Sequence, residues 1–278
     1  MHLGFAFNPT KPAAVELRDR ALEWCRGRAV EAWSAEASEE QTLLERLPAS
    51  DVLVVLGGDG TFLRAARVLA AVDVPVLGVN SGRIGFLAKV EPDALEETLA
   101  ELVAGEYEIE PRMMLEARLL PGGGEAGSTA HAALNDAAIV RGAEVRVVRL
   151  EVLINDTHLA NYVADGLVVA TPTGSTAYSF SAGGPILDPT ARNLIVTPIA
   201  AYLSSIRSIV VDPAQRVLVR VLDGPDCVVS IDGREDHPLK VGDAVDIRAL
   251  DRPLRFVEPR RALPFWELLR RKAALLPA

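Results

Sequence analysis

The chain has 278 residues, 49% hydrophobic and 24% charged, a globular balance that supplies a core and excludes disordered or fibrous classes. Its net charge of −9 offers no field to attract DNA or RNA, so an anionic ligand must be held locally by glycine-loop amides, helix N-termini, metal or a few arginines. Cys25 and Cys227 form no CxxC pair, and His2, His131, His158 and His237 lack metal-ligand spacing; all six read as packing or surface residues, and no protein metal ligand is assigned.

In chain order, "HLGFAF" reads as a strand, in an apolar run too short for a signal h-region. "KPAAVELRDRALEWCRG" reads as a helix with proline near its start, "RAVEAW" as a strand, and "SEEQTLLERL" as a helix with Ser38 at its N-cap. "DVLVVL" is a continuous apolar run of the kind found where both faces of a sheet are covered. A helix from about Thr61, the strand "VPVLGV" and the helix "PDALEETLAELVAG" complete residues 1–105. This alternation predicts a Rossmann-like α/β N-terminal domain with a doubly wound parallel sheet.

Residues 106–260 change rhythm. Short alternating runs such as "YEIEPRMMLEARLL", "VRVVRLEVLIN", "QRVLVRVL", "DCVVSIDG" and "DAVDIRAL", separated by Gly, Pro and Asp, predict a mostly β C-terminal domain. "PFWELLRRKAALL", within 261–278, reads as a helix that packs on the body. The most apolar internal stretch, "LIVTPIAAYL", is too short to span a bilayer, and the reading is a cytoplasmic protein with no membrane or nucleic-acid partner.

Four segments carry chemistry. Gly57-Gly58-Asp59-Gly60-Thr61 ends the run "DVLVVL", where open parallel sheets bind ligands. The glycines let amides approach a phosphate, and Thr61 brings a hydroxyl to a helix N-terminus. Asp59 is the anomaly, since a bare carboxylate repels phosphate. It suits Mg²⁺, or a hydroxyl proton to be accepted; the plainer alternative is a turn capping the next helix. The loop is neither a Walker A nor a GxGxxG sequence. "GVNSGRIGFLA" places Asn80 on the same sheet edge, and "LNDAAIVRG" sets a carboxamide, Asn135, beside a carboxylate, Asp136. "VADGLVVATPTGSTAYSFSAGGPI" concentrates short hydroxyl side chains and glycine, either to bond ribose hydroxyls or to cap a polar turn entering a short helix.

Together these four segments resemble the NAD kinase family, over nearly the whole chain. GGDGT alone is shared with diacylglycerol-type lipid kinases and phosphofructokinases; the long DG…TPTGSTAY…SAGGP stretch is far more specific. The resemblance implies transfer of the γ-phosphoryl group of ATP, or of polyphosphate, to the 2′-hydroxyl of the adenosine ribose of NAD, with Mg²⁺ carried by ATP and positioned near Asp59. It implies Asp59 as the catalytic carboxylate, with Gly57, Gly58, Gly60, Thr61 and Asn80 on the ATP phosphates. Phe86, Asn135, Asp136, Asp165, Thr176, Ala177, Tyr178 and Ser181 are implied for NAD, and a homodimer or homotetramer for the assembly. Two positions depart from the pattern: Asp136 stands where Glu is usual, and Ile84 where Leu is usual. The alternatives are a lipid kinase, which needs an apolar cleft or membrane-facing surface, and a non-catalytic NAD sensor, which has no need of Asp59.

Overall fold

The computed structural model describes residues 1–82, 85–142, 146–202, 206–224, 226–260 and 262–274. It begins β1 (His2–Phe7), α1 (Pro12–Arg26), β2 (Glu31–Glu36), α2 (Glu40–Arg46), β3 (Val52–Leu56), α3 (Asp59–Leu69), β4 (Val76–Val79), α4 (Leu95–Ala104) and β5 (Tyr107–Arg112). Then follow β6 (Leu115–Leu120), β7 (Thr129–Ala133), β8 (Asp136–Arg141), β9 (Val148–Ile154), β10 (Thr157–Ala164), β11 (Gly166–Ala170) and the single-turn α5 (Tyr178–Ser181). The remainder is β12 (Leu194–Ile199), β13 (Ile209–Val211), β14 (Val217–Asp223), β15 (Cys227–Ile231), β16 (Glu235–Leu239), β17 (Ala244–Ala249), β18 (Leu254–Pro259) and α6 (Phe265–Ala274). The chain divides into two compact units, Met1–Pro111 with Leu254–Ala278, and Arg112–Pro253.

The first unit is built on one sheet of order β2-β1-β3-β4-β18-β5, with β1 parallel to both β2 and β3, and β3 parallel to β4. The chain steps from β1 outward to β2 and returns to β3 on the other side of β1, as in a doubly wound sheet. With right-handed crossovers, that reversal places α1 and α2 on opposite faces. Accordingly α1 packs with α4, and α2 with α3. Every residue of β3 is buried, as its unbroken apolar run requires when both faces are covered. Leu17 and Ala21 of α1 and Leu99 of α4 share a core with Phe5, Val54 and Leu77.

The sequence boundaries at 105 and 260 differ from this division. β18 belongs to the first unit's sheet, between β4 and β5, and α6 falls in the same unit. Its residues feed both faces: Phe256 stacks on Phe62 of α3 at 4.9 Å between ring centroids, and Val257 joins the core beneath α1 and α4. "YEIEPRMMLEARLL" is likewise two strands in two different sheets, β5 and β6. Ser38 is not the cap of α2: Glu39 occupies that position without a side-chain cap, while the Ser38 hydroxyl donates to Glu36 at 3.4 Å.

The second unit contains two six-stranded sheets, β10-β9-β14-β17-β6-β7 and β13-β12-β11-β8-β15-β16, whose recorded pairings are all antiparallel. Alternate residues from both sheets, among them Val152, Val219, Ile139 and Val229, form one core. Ala138, Val168 and Ala170 build a smaller cluster that Leu187 helps cover. Cys25 and Cys227 are buried free thiols. Among the described residues no helix is long and apolar enough to cross a membrane.

Candidate active site

The structure assembles the motif residues into two clusters, one in each unit. In the first, Gly57 follows β3 at the place where the strand order reverses, and its amide donates to the Val79 carbonyl at 2.9 Å. A Cβ at Gly57 would lie 2.6 Å from the Thr61 hydroxyl, so glycine lets the first turn of α3 fold back onto the loop. Gly58 is the N-cap, in extended conformation, and a Cβ there would face open space. α3 starts at Asp59, two residues ahead of the sequence reading, and Gly60 lies in its first turn. Thr61 is buried, leaving its hydroxyl little exposed.

Asp59 is not the bare carboxylate that the sequence suggests. One of its oxygens accepts the amides of Leu87 and Ala88 at 3.0 and 3.3 Å, and the other accepts that of Phe86 at 2.9 Å. A carboxylate has about four lone-pair sites, so roughly one remains for a ligand. Gly85 permits the approach, since a Cβ there would sit 1.8 Å from an Asp59 oxygen. The amides and the α3 N-terminus together compensate the charge. Asn80, buried, turns its carboxamide on Gly82, donating to its carbonyl at 2.8 Å and accepting its amide at 3.0 Å, so it shapes the loop from within. Ile84 lies outside the described residues. The Phe86 ring is 6.1 Å from that of Phe265, and the Lys272 ammonium lies 4.7 Å from its centroid, so α6 supplies two neighbours that the motifs do not include.

In the second unit Asn135, Asp136, Ala177 and Tyr178 share the wall of a cavity of about 400 Å³ with Asp232 and Asp236. Asp165, Thr176 and Ser181 do not line it. Asp165 pairs with Arg141 at 3.0 Å, Thr176 donates to the Thr173 carbonyl at 3.4 Å, and Ser181 is exposed. Much of the hydroxyl-rich stretch is scaffold. Thr171 donates to the Leu134 carbonyl at 2.5 Å and accepts the Gly174 amide at 3.1 Å; Ser175 accepts the Leu187 amide at 3.0 Å; and buried Ser179 contacts Thr197 at 3.3 Å. These bonds hold the stretch against Asn135, whose carbonyl accepts the Thr171 amide at 2.8 Å.

Asp136 is buried and its carboxyl is pushed up from 3.8 to about 7, first by burial and then by the charge of Asp232. Asp232 is also raised by burial, against the opposing effect of three backbone amides and Arg234. Sequence reading missed Asp232, because an Asp-Gly pair between two strands already has a turn to explain it. A larger cavity, about 690 Å³, lies in the first unit among residues such as Lys89, Glu108 and Glu258, and contains none of the predicted site residues. Lys89 is spent there on an ion pair with Glu258 at 2.6 Å.

Residues 25–107 match the ATP-NAD kinase N-terminal domain, and residues 134–259 the ATP-NAD kinase C-terminal domain. An NAD kinase of Heliobacterium modesticaldum is 40% identical, with 97% of each chain covered. One of Symbiobacterium thermophilum is 47% identical over 80% of this chain and 78% of its own. A solved NAD kinase from Archaeoglobus fulgidus, in complex with ATP, superposes with a TM-score of 0.79 at 25% identity, covering 99% of this chain and 100% of that one. Yeast NADH kinase, solved with NADH, shares the fold at a TM-score of 0.88 and 22% identity, covering 100% of this chain and 89% of its own. The chain belongs to the NAD kinase family.

Proposed function

We propose that the protein transfers the γ-phosphoryl group of ATP to the 2′-hydroxyl of the adenosine ribose of NAD, giving NADP. What carries this reading is Asp59, fixed at the head of α3 beyond β3, in a chain that aligns along nearly its whole length with NAD kinases. The relatives give no support to a lipid kinase or to a non-catalytic sensor.

Phosphoryl transfer passes through a loose transition state, so positioning and charge stabilisation matter more than full deprotonation of the acceptor. Gly57, Gly58 and Gly60 leave the loop backbone accessible to phosphate oxygens. The remaining lone pair of Asp59 accepts the hydrogen bond of the 2′-hydroxyl and orients it. Mg²⁺ enters with ATP as part of the substrate. Asn135 and Asp136 take a ribose diol, with Ala177 and Tyr178 on the same cavity wall. Phe86 lies against the adenine portion, while Asp165, Thr176 and Ser181 hold the dinucleotide outside that cavity. A cytoplasmic homodimer or homotetramer is the working form in this reading.

The test is incubation with NAD and Mg-ATP, followed by an NADP-specific dehydrogenase. NADP accumulating in proportion to enzyme is expected; none from either ATP or polyphosphate would contradict the reading.

A further inference from the structure

Asp232 lies outside all four motif segments, in the turn that closes the β15–β16 hairpin. Asp232 has φ 52° and Gly233 φ 62°, and the Arg234 amide donates to the Ile231 carbonyl at 3.0 Å, the form of a type I′ turn. Such a turn requires only a residue that tolerates positive φ, and here the side chain does more. One oxygen accepts the amides of Asn135 and Asp136 at 2.8 and 3.1 Å, and the other accepts that of Leu134 at 3.0 Å. The Asp232 amide in turn donates to the Asp136 carbonyl at 2.9 Å. Four hydrogen bonds therefore fix three successive residues at the start of β8, and two of those three line the cavity.

We propose that Asp232 is a positioning residue for the dinucleotide, fixing the backbone of Asn135 and Asp136 at the cavity wall. The inference rests on the NAD kinase reading. Among the described residues, Asp232 and Asp236 from the hairpin and Tyr178 of α5 line the cavity with Asp136, and Arg234 at the hairpin tip acts on Asp232. Asp232 is the group whose charge acts on Asp136. Burial, and after it the charge of Asp232, pushes the Asp136 carboxyl up to about 7, so NAD affinity should show an inflection near neutral pH that removing the Asp232 charge moves down.

Asp232→Asn tests this cleanly. Asn also favours positive φ before Gly, so the turn survives, while the charge and one acceptor are lost. The variant is expected to raise KM for NAD about tenfold, to lower kcat far less, and to move the pH inflection in KM below that of the wild type. An unchanged KM, or an inflection that stays in place, would overturn the proposal. A purely structural turn residue would cost thermal stability and leave the inflection alone. Should Asp232→Asn fail to fold, Asp136→Asn decides, because it leaves the turn intact and should abolish the inflection; persistence would overturn the proposal. If the wild type makes no NADP, the kinase reading fails separately. Calorimetry with NAD across the same pH range then decides on Asp232: a shifted inflection supports it, and an unshifted one or no binding overturns it.

Discussion

At the residue scale, two carboxylates of the site sit in opposite environments. Asp59 is given amides and a helix N-terminus, whereas Asp136 is given burial and a neighbouring negative charge. The raised carboxyl of Asp136 makes stability depend on pH. Its protonated form is the one the fold favours, so its stabilising contribution is complete below 3.8 and is lost as pH rises to about 7. A rise of that size corresponds to roughly 4 kcal/mol. Asp136→Asn carries no such penalty. Its melting temperature should exceed that of the wild type above about pH 7, and the gap should close as pH falls towards 3.8. A gap independent of pH across thermal melts would show that Asp136 is not buried as the protonated acid. The sequence marks the Asn135–Asp136 pair as polar atoms fit for a diol, and both line the cavity. The clamp on it was not, because a side chain that reaches from a hairpin turn to another strand leaves no local pattern.

Among the elements, the loop ahead of α3 and the segment ahead of α5 show how backbone proximity sets sequence. Gly174 is the sharpest case: a Cβ there would lie 2.1 Å from the Asn135 carbonyl oxygen, a backbone atom that cannot swing aside. Gly174→Ala should therefore destabilise the second unit by about 3 kcal/mol and weaken NAD binding at the same time. Denaturant unfolding with calorimetry checks both, and a variant with wild-type stability and affinity would deny that contact. The buried strand β3 and the helix after it were readable, since a continuous apolar run followed by glycines admits few other forms. β18 was not. Six residues of "LRFVEP" carry no sign of the sheet they join, and partners distant in sequence, Phe62 and Val76 among them, assign them. The sequence reads the hydroxyl-rich stretch as a ligand-binding segment, yet Thr171, Ser175 and Ser179 bond protein groups. Composition reports how many hydroxyls are present, and burial decides which of them a ligand can reach.

For the whole molecule, a net charge of −9 leaves recognition of an anionic substrate to local groups. The α/β and mostly β division was legible because helical and strand periodicities differ; the return of the C-terminal strand and helix to the first unit was not, since it is a property of topology. The claim that unites these observations is that the Asp59 carboxylate promotes phosphoryl transfer to NAD. Its most direct test is single-variant kinetics on Asp59→Asn, with NAD affinity measured alongside by calorimetry. The variant retains one acceptor oxygen but turns an amide group towards a backbone N–H, costing about 1–3 kcal/mol of stability, so thermal melts must confirm that it is folded. A fall in kcat of at least about 100-fold, with NAD affinity changed only a few-fold, is the predicted result. A folded Asp59→Asn protein that keeps most of its kcat would contradict the account.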